Sequence, residues 1–268
     1  HRLTLHRLES ASYRLRVVRD SAMRSRLLAA AALIGLMAPG ARSAPAWVQA
    51  QAQMDPHLHH HMLSPAPAAG ATSVAAPMDH SAHNHSVGPA GSTYDLRWID
   101  AMVQHHTGAL RMSEFVFDIG VPGVGALAKQ IWRDQAQEIK AMGQWRKAWF
   151  PDAPVYPVAL EAGGDPNAMA DLTRMSPAQI QAMQMMGSTP TRTNRVTWFL
   201  EGMLQHHGGA LVMAQDALTK TTNPTLLRLA RDIIIAQRNE LIEIRRMLQH
   251  DGLNKPEYYR YDALFTLP

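Results

Sequence analysis

Four long stretches after residue 93 place apolar residues at the three- and four-residue spacing of an amphipathic α-helix. The stretches fall into two pairs, 94–150 and 191–250, and a short break containing Pro with Gly or Asn separates the two helices of each pair. Such a break predicts a helical hairpin. We expect the second helix of each hairpin at 124–149 and 225–249. Two hairpins with four long helices predict an all-α fold, a four-helix bundle.

The segment between the hairpins, 151–190, is rich in Pro, Gly and Ala and is predicted to be a linker that carries one short helix. Ser176 followed by Pro177 is typical of a helix start. The helix is expected to end at Gly187 and to include three methionines: Met183, Met185 and Met186. Residues 251–268 follow the second hairpin as a C-terminal tail.

The first 93 residues differ in composition from the rest of the chain. Residues 23–44 combine two early arginines, an apolar run of roughly 12 residues and a small-residue end, which is typical of a secretory signal peptide and too short for a stable membrane span. Residues 1–22, which precede Met23, are expected to be a non-native upstream extension. Residues 45–93 contain few aliphatic side chains and are predicted to be disordered. The sequence therefore predicts an exported, periplasmic protein without stable membrane insertion.

The positive charge of the chain belongs to its leader. The chain has 26 basic and 22 acidic residues, a net charge of +4. Eight arginines and two acids lie in 1–44, so residues 45–268 carry 18 basic and 20 acidic residues, a net charge of −2. The sequence therefore excludes nucleic acid as an expected partner.

Metal-ligating side chains are unusually frequent, whereas cysteine is absent. The chain has 16 Met, 14 His and no Cys, which excludes disulfides and thiolate metal sites. Seven histidines lie in two islands of the predicted tail, each with Met at its edge: His57, His59, His60, His61, His80, His83 and His85. Short His-rich tracts are typical metal binders, although a solubilising low-complexity tail or an expression tag would have a similar composition. We interpret the islands as a metal-capturing tail.

An eleven-residue motif occurs twice, with an offset of 101 residues and with eight of eleven positions identical. Two methionines and two adjacent histidines recur in each copy: Met102, His105, His106 and Met112, then Met203, His206, His207 and Met213. At about 100° per residue, these side chains lie within an arc of about 120°, the width of a buried helix face. Asp100 falls outside this arc and is expected to face solvent. We expect one histidine of each pair to bind metal and the other to reach the facing helix.

The donors of this motif favour a soft metal ion. Thioether and imidazole suit Cu(I) and Ag(I), and the His-only tail can also take Cu(II). A di-iron bundle needs inward Glu residues with Glu-x-x-His pairs, which the motif helices lack, and catalytic zinc needs three His or carboxylate ligands. The alternative is plain core packing, since Met at helical spacing usually fills a core. Four buried imidazoles without partners would, however, be costly.

The second helices of the two hairpins also correspond to each other. Gln135-x-x-Glu138 in the first matches Gln237-x-x-Glu240 in the second. The two glutamates either hydrogen-bond the motif histidines and fix their tautomers, or they are ordinary surface residues of amphipathic helices. Both interpretations stay open, and neither glutamate is taken as a metal ligand.

The chain resembles the bacterial family called domain of unknown function 305. The resemblance is carried by a Met followed by His-His, then Ala and Met, and by a later helix with Gln and Glu. The resemblance covers roughly 94–150 and 172–250 and implies two copies of the family unit, a ferritin-like bundle and export. It also implies copper binding, as in some periplasmic members, with the eight Met and His of the two motifs as ligand positions. Met142 is replaced by Ile244 in the second copy, which implies a weaker second site if that methionine is a ligand.

The sequence thus predicts a non-enzymatic copper-binding protein for copper buffering, resistance or delivery. Its expected cofactor is copper, chiefly Cu(I), and its expected partners are the metal ion and another copper-handling protein. A metal-dependent oxidoreductase that uses the same His/Met site is the alternative, and a purely structural bundle is the third candidate.

Overall fold

A computed structural model describes residues 85–119 and 123–268. The predicted upstream extension, the signal peptide and most of the predicted disordered tail lie outside these residues. Five α-helices and two short strands follow one another in the described part of the chain: α1 Tyr94–Glu114, α2 Val124–Trp149, β1 Val158–Leu160, β2 Leu172–Arg174, α3 Pro177–Gln184, α4 Arg195–Lys220 and α5 Pro224–His250.

The four long helices form two hairpins, since α1 packs on α2 and α4 packs on α5. The motif helices α1 and α4 also pack against each other. Trp98 Nε1 donates a hydrogen bond across this contact to Met213 O at 2.9 Å, and Tyr94 Oη donates to Asp216 Oδ2 at 2.8 Å. The structure confirms the predicted all-α bundle of two helical hairpins, and the motif helices form its central contact.

Local sequence sets the helix starts. α2 begins directly after Gly123, whose φ of 101° lies in the left-handed region that favours glycine. α5 begins at Pro224, where a missing N–H costs no helix hydrogen bond. Asn223 caps α5, because its Oδ1 accepts a hydrogen bond from the backbone N–H of Thr225 at 3.0 Å. The predicted bounds of α2 are confirmed, and those of α5 differ by one residue at each end.

The linker between the hairpins contains two short strands that the sequence pattern did not predict. β1 and β2 pair antiparallel, with Ala159 opposite Thr173. Val158 and Leu172 pack in a small apolar cluster with Leu96 of α1. Three-residue strands are too short to show the alternation that identifies a strand, so the pattern read as a simple linker.

α3 has the predicted start but an earlier end. Ser176 Oγ accepts a hydrogen bond from the backbone N–H of Gln179 at 3.1 Å, and Gln179 Oε1 accepts from the backbone N–H of Ser176 at 2.7 Å, which together form a capping box. The helix ends at Gln184 because Met185 has a φ of 49°, a left-handed conformation that stops an α-helix. The prediction that Met185 and Met186 lie within the helix is therefore wrong.

Asp100 is buried, so the prediction that it faces solvent is also wrong. Its side chain is 0% exposed. Arg146 of α2 donates to it from Nε at 2.6 Å and from Nη2 at 3.2 Å, and the backbone N–H of Val158 donates at 2.9 Å. A helical wheel places Asp100 away from α4, but α2 and β1 cover that side of α1.

The segment after α5 covers α4 much as the linker covers α1. On α1, Gln104 Nε2 donates to Tyr156 Oη at 3.1 Å. At the equivalent position on α4, Gln205 Oε1 accepts from Tyr261 Oη at 3.0 Å. The correspondence between the halves thus reaches beyond the helices. Within the described ranges, none of the helices has both the length and the apolar character that a membrane crossing needs.

Candidate metal centre

The two motif copies meet at the contact of α1 and α4. His105 and His206, which are equivalent in the repeat, are both 0% exposed, and their ring centroids are 3.8 Å apart. His206 Nε2 lies 2.9 Å from the backbone carbonyl oxygen of His105. A carbonyl oxygen can only accept, so Nε2 of His206 carries the proton and its Nδ1 keeps the lone pair. The two predicted clusters therefore share one region of the core.

The second histidine of each pair reaches the facing helix of its own hairpin. The sequence predicted such a contact for one histidine of each pair without specifying which one. His106 Nε2 lies 2.6 Å from Glu138 Oε2, and His207 Nε2 lies 2.8 Å from Glu240 Oε2. Both imidazoles are 0% exposed. Each carboxylate accepts from Nε2–H and so fixes the tautomer that leaves the lone pair on Nδ1. Of the two interpretations of Glu138 and Glu240, the contact with the motif histidines is the one observed.

Five ring nitrogens in this region are buried and have no hydrogen-bond partner among the described residues. They are Nδ1 and Nε2 of His105 and the Nδ1 atoms of His106, His206 and His207. A buried polar group without a partner costs about 1–3 kcal/mol, so a cluster of such atoms needs a physical reason. A bound metal ion is one, because it uses an imidazole lone pair directly.

Burial and mutual proximity keep the central pair of imidazoles neutral. Burial lowers the pKa of His105 well below its usual value, and a charge on His206, His85 or His106 would lower it further. The pKa of His206 is likewise lowered, first by burial and then by its neighbours His207 and His106. Neutral imidazole is the form that coordinates metal, so the pair needs no deprotonation at neutral pH.

All four motif methionines are buried in the apolar core of the bundle. Met102, Met112 and Met203 are 0% exposed and Met213 is 1% exposed. The Cε atom of Met112 lies 2.7 Å from where a Cβ on Gly202 would stand, so Met112 reaches α4 next to Met203. Met142 of α2 is buried too. Thioethers are thus available from both hairpins.

Of the tail histidines, His85 lies within the described residues, and its ring centroid is 5.8 Å from that of His105 in an edge-on arrangement. His57, His59, His60, His61, His80 and His83 lie outside those residues. Across 85–119 and 123–268, no three His, Asp or Glu side chains have the arrangement of a ready-formed metal site. A site here would therefore combine imidazole with thioether, or require small side-chain rotations.

Two features of this region go beyond the arrangement that the sequence predicted. Gln135 and Gln237 are buried, and their side-chain amides include atoms without partners. Gly209, which follows the second His-His pair, allows two imidazoles to approach the helix backbone. The signal for Gly209 was present, since Gly108 holds the same place in the first copy.

The fold and the site define a helical bundle with buried histidine and methionine side chains at its central contact. The sequence profile of one family, described as Domain of unknown function (DUF305), matches residues 95–248 in a single span that includes both hairpins. This chain belongs to the DUF305 family.

Similar proteins include one of uncharacterised function and several of known structure. Uncharacterized protein L153 of Acanthamoeba polyphaga mimivirus is 40% identical over 55 residues, which are 20% of this chain and 36% of L153, about a third of its length. The structure of CopM in the Cu(I)-bound form is 27% identical, with a TM-score of 0.42, over 58% of this chain and 96% of that chain. A DUF305 fragment from Deinococcus radiodurans is 22% identical, with a TM-score of 0.43, over 61% of this chain and 99% of that chain. The family description states no function.

Proposed function

We propose that this protein binds Cu(I), and also Ag(I), through imidazole and thioether groups where α1 meets α4. The observation that carries the proposal is the group of five buried imidazole nitrogens without hydrogen-bond partners. Four of the five carry a lone pair, because neutral His105 keeps a proton on one of its two nitrogens. A coordinated ion would give such lone pairs a partner without adding a proton. The neutral state favoured for His105 and His206 is the state such coordination requires.

The donor set selects the kind of ion. Thioether sulfur and neutral imidazole are soft or borderline ligands that suit Cu(I) and its analogue Ag(I), whereas Mg²⁺ and Ca²⁺ prefer oxygen. Glu138 and Glu240 already accept hydrogen bonds from His106 and His207. Their role in the proposal is to orient imidazoles, not to bind the ion.

The proposed role is to hold copper rather than to turn over a substrate. We propose an exported protein that buffers copper, confers resistance or delivers the ion to another copper-handling protein. The tail histidines would capture ions of either copper oxidation state, and the bundle would hold Cu(I). The two hairpins would be two copies of one ancestral unit, as the eight identical motif positions suggest.

A competition titration of Cu(I) against a chromophoric chelator, without oxygen, tests the proposal. Changing the four motif histidines together to Ala should remove at least one tightly bound ion from the stoichiometry and leave the tail ions. His250→Ala is the matched control, because this side chain is 90% exposed at the end of α5. It should leave stoichiometry and affinity unchanged.

A second variant keeps the proposal testable if the histidine variant does not fold. Replacing Met102, Met112, Met203 and Met213 together by Leu keeps apolar volume, which cores tolerate well, but removes all four thioethers. We expect retained helical circular dichroism and a loss of Cu(I) affinity of at least about tenfold. Unchanged Cu(I) affinity and stoichiometry in both variants would contradict the proposal.

A further inference from the structure

The chain just before α1 is held against the bundle by two cationic side chains. Arg97, which is 1% exposed, donates to the carbonyl oxygen of Val87 and, at 2.7 Å, to that of Pro89. Lys220 Nζ of α4 donates to the carbonyl oxygen of Gly88 at 3.0 Å. Three consecutive carbonyls are therefore tied to α1 and α4. This anchoring places His85, two residues earlier, at the surface of α4.

Gly209 provides the space into which His85 fits. A Cβ at Gly209 would stand 2.9 Å from both Cε1 and Nε2 of His85 and 3.0 Å from Nε2 of His105. Both Nε2 atoms thus approach one point beside the backbone of α4, and a side chain larger than that of glycine would press against both. Their separation is at most the sum of these two distances.

The equivalent place on α1 is occupied differently. A Cβ at Gly108 would stand 1.8 Å from the backbone carbonyl oxygen of Gln184, so the end of α3 covers that glycine. No imidazole of the described residues is among the nearest neighbours of Gly108. The imidazole pair beside Gly209 therefore has no counterpart among the nearest neighbours of Gly108.

We infer that His85 and His105 form a two-imidazole clamp for a soft monovalent cation, Cu(I) or Ag(I), with the ion between their Nε2 atoms beside Gly209. The inference rests on the proposed function and names one ligand pair for it. Imidazole nitrogens coordinate metal at about 2.0–2.1 Å, so a linear pair needs a separation of about 4 Å. A rotation of His105 toward this separation would break no hydrogen bond with the described residues.

The clamp would join the tail to the bundle. His85 belongs to the second histidine island of the tail, whereas His105 belongs to the first motif helix. An ion held between them is therefore bound by both parts of the protein. It could pass from tail to core by exchanging one imidazole at a time, without returning to water.

Nuclear magnetic resonance of the full chain, labelled with ¹⁵N on histidine, tests the clamp with Ag(I) as the probe. The Nε2 resonances of His85 and His105 should shift together and saturate at the same Ag(I) equivalent. In His105→Ala, the His85 resonance should no longer respond at that equivalent. The exposed His250 is the internal control and should not shift with them.

Two variants sharpen the test. His85→Ala should weaken Ag(I) binding at His105 by at least about tenfold. Gly209→Ala should also weaken Ag(I) binding while α4 stays helical, because its methyl group would stand 2.9 Å from Nε2 of His85 and 3.0 Å from Nε2 of His105 and displace both rings. A His105 shift without any His85 shift would overturn the clamp but leave the proposed function standing. No response of His105, His106, His206 or His207 would overturn both.

Discussion

Lowering the pH from 7 to 5 should destabilise the metal-free protein through His105 and His206. Burial lowers the pKa of each imidazole well below the usual 6.5. The unfolded chain therefore takes up protons below pH 6.5 that the folded protein does not accept. Stability from these two groups is fully present above pH 6.5 and is lost as the pH falls below it.

The size of the effect follows from the number of protons. Each histidine that is protonated only in the unfolded state lowers the free energy of unfolding by about 1.4 kcal/mol per pH unit. Well below pH 6.5, two such histidines give a slope of about 2.7 kcal/mol per pH unit, and the integrated loss between pH 7 and pH 5 is about 4 kcal/mol. This is a large part of a typical stability of about 5–15 kcal/mol.

Urea unfolding followed by circular dichroism at 222 nm, in the presence of a chelator, measures this slope. Replacing His105 and His206 together by Gln should reduce the slope by about 2.7 kcal/mol per pH unit. His250→Gln, at an exposed position, should leave the slope as it is. Equal slopes in the wild type and the double variant would refute the reasoning that the buried pair resists protonation.

Three further predictions concern the surroundings of the site. Asp100→Ala should lower the free energy of unfolding by about 3–5 kcal/mol in urea titrations, because it leaves Arg146 buried without its partner. Glu240→Gln should weaken Ag(I) binding about 10–100-fold in a competition titration, since the carboxylate orients a ligand histidine. Gly108→Ala should lower the melting temperature and open the linker to proteolysis, because its methyl group would stand 1.8 Å from the carbonyl oxygen of Gln184. An unaltered free energy of unfolding in Asp100→Ala would contradict the Asp100–Arg146 ion pair. An affinity change below about threefold in Glu240→Gln would contradict the role of its contact with His207. An unchanged melting temperature in Gly108→Ala would contradict the close approach of Gln184.

The bounds of the long helices could be predicted from the sequence because local residues determine where these helices begin and end. The break before Val124 and the Asn223-Pro224 start depend on neighbouring residues and on apolar spacing, so the bounds of α2 and α5 were predictable. The burial of Asp100 was not, because a helical wheel gives a direction and not the element that covers it. Its partners Arg146 and Val158 are 46 and 58 residues away along the chain.

The site was predictable as a set of residues but not as an arrangement. Repetition and helical spacing identified the motif histidines and methionines, and the structure buries them all. The contact of His105 with His206 depends on how α1 packs on α4, which no local pattern specifies. Composition predicts that His85 lies in a disordered tail. The hydrogen bonds that hold this segment run from Arg97 and Lys220 to backbone carbonyl oxygens, which every residue has, so no side-chain pattern in the sequence indicates them.

The most direct test of copper binding in the core is a crystal structure of the Cu(I)-loaded protein with anomalous scattering measured at the copper edge. We predict an anomalous peak between α1 and α4, within coordination distance of a ring nitrogen of His105 or His206. Copper peaks confined to the surface, with the motif histidines and methionines remote from every ion, would contradict the account.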